Sequence, residues 1–194
     1  MLEAPCHFPY GGVCNAMAQS RLTSEKWLSA GFDALVQHGP QALKAETLAR
    51  QIGTTKGSFY WHFKDVDAFH ADMISLWAAQ AVTSFAVHMA AEPTPPLQLR
   101  SLGKPPTPSH PLTDPAIESA LRAWGATNHT VANVIADVDA QRIAHLAAAL
   151  RQLGVTDPDF ALLIYSARIG LHAQTHSDGT RPLETLIDLI LALR

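Results

Sequence analysis

The sequence predicts an all-α protein of roughly nine helices, with a three-helix unit near the N-terminus and a larger helical body behind it. Three observations carry that expectation. Apolar residues recur at the i, i+3, i+4 spacing along most of the chain. Runs of alternating apolar and polar residues, the mark of a strand, are almost absent. The "HGP" at His38–Pro40, Gly53 and a proline-rich stretch after Glu92 punctuate the periodic segments.

Thr23 is expected to cap a first helix with Trp27, Leu28, Gly31, Phe32, Leu35 and Val36 on one face, ended by "HGP" at His38–Pro40. A short second helix places Ala45, Leu48, Ala49 and Ile52 on one stripe. Gly53 follows it, at the position where a left-handed backbone costs little only for glycine. Thr55 caps a third short helix in which Phe59 and Phe63 lie four apart on one side, while Ser58, Trp61 and His62 point elsewhere. A long amphipathic helix is expected from about Val66 to Ala91, with Phe69, Met73, Leu76, Trp77, Phe85 and Met89 as its large apolar groups.

Between Glu92 and Asp114 lie seven of the thirteen prolines, so this stretch reads as an irregular connection with at most one short helix at Leu97 to Leu102. Asp114-Pro115 is an N-cap followed by proline at the first helical position, opening a helix with Ile117, Leu121 and Trp124. The next helix runs from about His129 to Gly154 with Val131, Val134, Ile135, Val138, Ile143, Leu146 and Leu150. Asp157-Pro158 repeats the cap-plus-proline device before Phe160 to Thr175. A last helix follows "SDGTRP" and runs to Arg194. The domain division expected is 1–20 as a flexible leader, 21–66 as the helix-turn-helix unit and 67–194 as the body.

Of the 194 residues 47% are hydrophobic and 16% charged, which suits a compact globular chain. No continuous apolar run of about 18 residues stands out, so no membrane span is expected. The N-terminal stretch lacks the basic start and apolar core of a secretory signal, which makes a cytoplasmic location the expectation. Cys6 and Cys14 are the two cysteines, both in the leader, and read as free thiols rather than a zinc site. Met17 is a natural alternative start, so the first sixteen residues read as dispensable. The formal net charge is −3, and between Arg21 and His70 the charges nearly balance. Any affinity for nucleic acid must therefore come from local placement.

"LARQIGTTKGSFYWHF" has the physical marks of a helix-turn-helix. Ala49 is small where two short helices cross, and Gly53 makes the turn. The last helix must bring polar groups and thin backbone to base edges in the major groove. Thr54, Thr55, Lys56, Gly57 and Ser58 supply hydroxyls, one ammonium and no bulk. Tyr60 and His62 can donate to phosphate oxygens, and Trp61 can pack on a sugar or a thymine methyl. Lys64 adds a phosphate charge beside the positive end of the long helix.

On these residues the chain resembles the tetracycline-repressor (TetR) family. "LARQIGTTKGSFYWHFKDVDAF" and the preceding "TSEKWLSAGFDALVQHGPQAL" carry the resemblance, from Leu22 to about Phe69. It implies a homodimeric transcriptional regulator with a DNA-binding head and a helical body. The body would hold a small, largely apolar effector whose binding respaces the heads and releases a palindromic operator. The positions that would face DNA are Thr55, Lys56, Gly57, Ser58, Tyr60, Trp61, His62 and Lys64, with Phe59 and Phe63 in the core. The sequence departs from the family pattern in two places. Lys44-Ala45 stands where a capping Thr or Ser is usual, so Lys44 substitutes a charge for a cap, and Val66 stands where a basic residue is common.

For the body, an effector pocket is expected from Trp77, Phe85, His88, Met89, Trp124, His129, His145, Tyr165, Arg168 and His172, although rings at helical spacing also serve an ordinary core. Arg142 reads as a structural partner of Asp137, Asp139 or the linker. A dimer interface is expected from Leu163, Ile164, Ala167, Gly170, Leu171, Leu183, Leu186, Ile187, Ile190 and Leu191, on the last two helices. The bland alternative is that this stripe packs within the subunit. His172 and His176 share an i, i+4 spacing, but no carboxylate or Cys beyond Asp178 completes a metal set, so neither metal nor cofactor is expected.

A helical ligand-binding protein or enzyme is the competing function. Against an enzyme stand the absence of a nucleophile elbow, a phosphate loop, HExxH or paired carboxylates. The first departure weakens a cap, and the second, at Val66, removes one expected phosphate contact. Operator binding should therefore weaken only modestly with salt, by a log–log slope of about −0.9 for each of few neutralised phosphates. A salt series giving a slope of order −10 would contradict this.

Overall fold

A computed structural model describes residues 23–104, 111–172 and 180–192. The leader with Cys6 and Cys14, the middle of the proline-rich connection, and His176 with Asp178 lie outside the described residues. Within them the chain forms helices α1 (Ser24–His38), α2 (Ala45–Gln51), α3 (Lys56–His62), α4 (Val66–Ala90), α5 (Pro95–Ser101), α6 (Pro115–Gly125), α7 (His129–Gln152), α8 (Asp159–His172) and α9 (Thr180–Ala192), with no strand among the described residues.

The helix ends follow from local chemistry. Gly39 (φ 78°), Gly53 (φ 70°) and Gly154 (φ 83°) take the left-handed backbone that stops α1, α2 and α7. Side chains of Thr55, Asp65, Asp114 and Asn128 accept backbone N–H groups at the starts of α3, α4, α6 and α7. Thr23 has the extended backbone of a cap, but its side chain makes no capping hydrogen bond, contrary to expectation. Helix α5 begins at Pro95, two residues before the expected start, because prolines at its first two positions need no intrahelical donor. Helix α9 likewise begins at Thr180, ahead of the expected Leu183.

Two apolar clusters fill the molecule. The first joins α1, α2, α3 and the first half of α4 to Ile117, Leu121 and Trp124 of α6 and Val131, Ile135 and Val138 of α7. The second gathers Phe85 and Met89 of α4, Leu99 and Leu102, Leu146 and Leu150 of α7, and residues of α8 and α9. Helix α4 passes through both. By length and composition α4 is also able to cross a membrane, although no span is expected from the sequence. Its large apolar groups Phe69, Met73, Ile74, Trp77, Phe85 and Met89 are instead buried in the two clusters. Leu76 is the exception among the residues expected inward, being exposed on α4 as Val36 is on α1.

Helices α1 and α4 meet at Gly31. A Cβ there would lie 2.6 Å from Phe69 Cζ and 2.8 Å from Met73 Sδ, both on fully buried side chains. Only glycine lets the two helices approach this closely. A second tie crosses the same region: His70 of α4 hydrogen-bonds the Leu43 carbonyl (3.1 Å) and sets its ring edge-on to Trp124 of α6 at 5.1 Å.

Candidate DNA-binding head and effector cavity

The ring-rich stretch of α3 divides by face. Phe59 is fully buried and Phe63 nearly so. Phe59 sits 5.3 Å from Trp27, 5.2 Å from Phe63 and 5.4 Å from Phe69, ring centre to ring centre. This aromatic knot holds α3 against α1 and the first turn of α4, with each ring pair adding about 0.5–1.5 kcal/mol beyond burial. The opposite face is left to solvent. Trp61 is 89% exposed and Tyr60 48% exposed, and Lys56, Gly57, His62 and Lys64 are exposed with them. An indole this exposed contributes nothing to the subunit core, so its apolar surface is available to a partner.

The turn into α3 closes through backbone, with the Thr54 N–H donating to the Ala49 carbonyl at 2.8 Å. The Thr55 hydroxyl accepts from the Ser58 N–H at 3.3 Å, so it both caps α3 and stands at its exposed tip. Ser58 and Thr54 are half-buried. At Gly57 an added Cβ would meet only the Thr55 hydroxyl, at 3.7 Å, so the bare backbone there is not required by folding. Lys44 is exposed at the start of α2 and makes no side-chain cap.

The start of α4 differs from expectation. Asp65 Oδ1 already accepts the Ala68 N–H at 2.7 Å, and Asp67 lies in the same turn. Two carboxylates therefore offset the positive end of α4, and Lys64 is left as the cation of that corner.

Residues 28–69 match the family model of bacterial regulatory proteins of the tetR family. The chain carries a TetR-family DNA-binding domain. Its fold agrees over nearly the whole length with solved structures. A protein from Rhodococcus sp. assigned as a TetR-family transcriptional regulator superimposes with a TM-score of 0.72 at 19% identity, covering 87% of this chain and 98% of that one. A transcriptional regulator from Saccharomonospora viridis, solved in complex with choline, gives 0.69 at 13% identity over 86% and 94% of the two chains. SmeT, the repressor of the Stenotrophomonas maltophilia multidrug efflux pump SmeDEF, gives 0.61 at 17% identity over 89% and 90%. Among curated protein sequences, none matches this chain. The family match thus covers the helix-turn-helix segment, and the solved structures share the fold of the rest.

Behind the helix-turn-helix segment lies a cavity of about 240 Å³ between α4, the α5 end, the 112–115 turn, α6, α7 and α8. Five of the ten residues expected at a pocket line it: Trp77, Phe85, His88, Arg168 and His172. The other five lie elsewhere. Met89 is buried in the second apolar cluster, and Trp124 is buried against His70 in the first. His129 is exposed at the first turn of α7, and His145 is exposed with Nδ1 bonded to the Gln141 carbonyl at 2.8 Å. Tyr165 is buried behind the wall and serves the charge network beneath it. His88 is held by a 2.9 Å bond from Nε2 to the Ser101 carbonyl.

A charge network beneath the cavity is the part of the site not expected from the sequence. Glu118 of α6 accepts from Arg122 (2.8 Å) and from Nη1 of Arg142 on both oxygens (3.0 and 3.1 Å). Arg122 also holds Asp139 through two bonds of 3.0 and 2.6 Å. The Tyr165 hydroxyl donates to Asp139 and accepts from Arg142 at 3.2 Å. Arg142 therefore reaches across to Glu118, Tyr165 and the Ala81 carbonyl, a structural role as expected but not with the expected partners Asp137, Asp139 or the linker. Asp139 is taken by Arg122 instead. A signal existed in the sequence: Glu118 and Arg122 stand i, i+4 on α6, with an Asp139/Arg142 pair one helix later.

Burial alone would raise the Glu118 pKa. The attraction and hydrogen bonds of Arg142, then those of Arg122, outweigh it and hold the carboxyl at about 2. Burial also raises the Tyr165 pKa against the pull of Arg142, so its hydroxyl stays protonated as the donor to Asp139.

A carboxyl depressed from 4.5 to about 2 contributes on the order of 3 kcal/mol to stability above pH 4.5, and this is lost as pH falls toward 2. Glu118→Gln should cost about 3–5 kcal/mol at pH 7, because two buried guanidiniums lose their shared carboxylate. The gap between the variant and the parent should narrow on acidification below pH 4.5. Urea unfolding between pH 7 and 3 measures this, and a gap constant with pH would show that Glu118 is not the linked group.

Proposed function

We propose that this chain is a homodimeric repressor that leaves a palindromic operator when a small effector occupies the body cavity, and that it works in the cytoplasm. Residues 21–66 act as the head and 67–194 as the body that holds effector and partner. The observation that carries the DNA half is the exposed face of α3, where Tyr60, Trp61, His62, Lys56 and Gly57 are presented by a buried aromatic knot that fixes them. In this reading Thr55, Gly57 and Ser58 meet base edges, while Lys44, Tyr60, His62 and Lys64 meet phosphates. The choline complex of the Saccharomonospora relative and the repressor role of SmeT support the ligand-released mode by analogy of fold.

Selection of bound duplexes from random DNA should yield a palindrome, and Tyr60→Ala with Lys64→Ala should abolish the enrichment while leaving the protein folded, with only the small loss of stability expected from the Tyr60–Phe59 ring contact (5.3 Å). Gly57→Ala, which the fold accommodates, should also weaken binding. Enrichment unchanged in these variants would refute the assignment of α3 to DNA.

The dimer face proposed here differs from the expected stripe. Ile164, Leu183, Ile187 and Ile190 are buried in the subunit's own second cluster, and Ala167, Leu171, Leu186 and Leu191 pack against it. The reason is that α8 and α9 must cover α5 and α7 before they meet anything else. What remains outward is Leu162 and Leu163 (49% and 53% exposed) with Gly170 on α8, and Leu189 (62% exposed) on α9. An added Cβ at Gly170 meets nothing within 4 Å, so the smallness there serves no contact inside the subunit. Leu163→Glu combined with Leu189→Glu should give a folded monomer in sedimentation, with operator affinity lost. A retained dimer would exclude this face.

A further inference from the structure

The cavity has an apolar wall of Trp77, Phe85, Leu102 and Ile169 and a cationic end formed by Arg122, Arg142 and Arg168. The charges at that end do not balance. Glu118 is shared between Arg122 and Arg142, which supply all four of its side-chain hydrogen bonds, and Asp139 is held by Arg122 and the Tyr165 hydroxyl. Arg168 has no such partner. Among the described residues its guanidinium makes no ion pair and no hydrogen bond. Its one recorded contact is with the ring of Phe85, 5.8 Å from Cζ to the ring centre. Arg142, 5% exposed, also leaves its Nε buried with no hydrogen-bond partner. Three guanidiniums against two carboxylates leave one positive charge over. At the rim, Lys104 and Glu92 pair with each other (3.7 Å), and the Asp114 carboxylate is exposed at the start of α6 and makes no bond to Arg168, so the Arg168 guanidinium keeps its charge without a direct counter-ion.

We propose that the effector is a small organic monoanion, a carboxylate on an apolar body, whose carboxylate is bound by Arg168 and whose body lies against Trp77, Phe85 and Ile169. Resting on the assignment of this cavity as the effector site, the proposal adds the chemistry of the ligand. A planar guanidinium fork matches a carboxylate with two parallel bonds. The single surplus charge suits a monoanion rather than a phosphate. A cationic ligand is disfavoured, because Phe85 already faces Arg142 and Arg168 at 5.8 Å each and its π-surface is occupied. Burial, together with the nearby Arg142 and Arg122, pushes the Arg168 pKa down against the pull of Glu118, the direction expected of a cation short of counter-charge. At about 240 Å³ the cavity lies just below the ~300–1,000 Å³ of typical ligand sites, so the body of the ligand is small.

The test uses matched ligands on the full-length protein. Calorimetry is run with phenylpropionate, phenylpropionamide and phenylpropylamine, and with octanoate, octanamide and octylamine, each to millimolar concentration. The carboxylate of at least one set should bind about tenfold or more tighter than its amide, with the amine weakest. Arg168→Gln should erase that preference while leaving the melting temperature of the unliganded protein unchanged or raised, since it removes a charge that has no partner. Arg168→Lys should retain part of it. Amides or amines binding as tightly as the carboxylates would overturn the anion assignment and leave the cavity as the effector site. No binding by any of the six would overturn both. A carboxylate preference that survives Arg168→Gln, or a clear loss of stability in that variant without ligand, would overturn the role given to Arg168.

Discussion

The structure depends on one unbroken helix that is packed into both halves of the molecule. Helix α4 has 25 residues, roughly 37 Å of backbone. Its first turns carry Phe69 into the aromatic knot that positions α3. Two to five turns later the same helix supplies Trp77, Ala81, Ser84, Phe85 and His88 to the cavity wall. No flexible joint is needed between the sites, because a movement of α4 at the cavity is also a movement of the surface on which α3 rests. Gly31 makes this linkage tight by letting α1 touch Phe69 and Met73 directly. His70 extends it sideways, joining the Leu43 carbonyl of the head to Trp124 of the body.

The charged layer under the cavity answers a second constraint. Helices α6, α7 and α8 must be held in one register around a space that is not filled by side chains. Apolar packing is poorly suited to this, since its strength comes from closing such spaces. Directional bonds among Glu118, Arg122, Asp139, Arg142 and Tyr165 hold the three helices at fixed separations while leaving the cavity open. Arg168 stands at the edge of this layer and outside its bonds, so the same arrangement that frames the cavity leaves it one cation in excess.

The helix pattern and the division of α3 were legible because both are written at short range. Apolar spacing, caps and glycines specify each helix from a few neighbouring residues. Phe59 and Phe63, four apart, could be assigned inward, and Tyr60, Trp61 and His62 outward, from helical geometry alone. The cavity was legible only in part. Trp77, Phe85, His88, Arg168 and His172 were visible as rings and polar groups on the body helices, but so were Trp124 and Met89, which the core took. A ring at helical spacing carries the same signal whether its neighbour is another ring or a void.

What the sequence by itself determined is the local content: nine helices among the described residues, their stops at Gly39, Gly53 and Gly154, and a TetR-type helix-turn-helix whose exposed rings have no use in a core. Tertiary structure decided which of several equivalent stripes became surface. On α9 the regular Leu183, Ile187, Ile190 stripe went to the subunit's interior and left Leu189 outside. It also decided that Arg142 should pair with Glu118 from another helix rather than Asp139 three residues away. The physical reason is common to both. Periodicity and i, i+4 spacing state which residues share a face. Which face is covered, and which charge finds a partner, depends on helices far apart in the chain that meet only when the core closes.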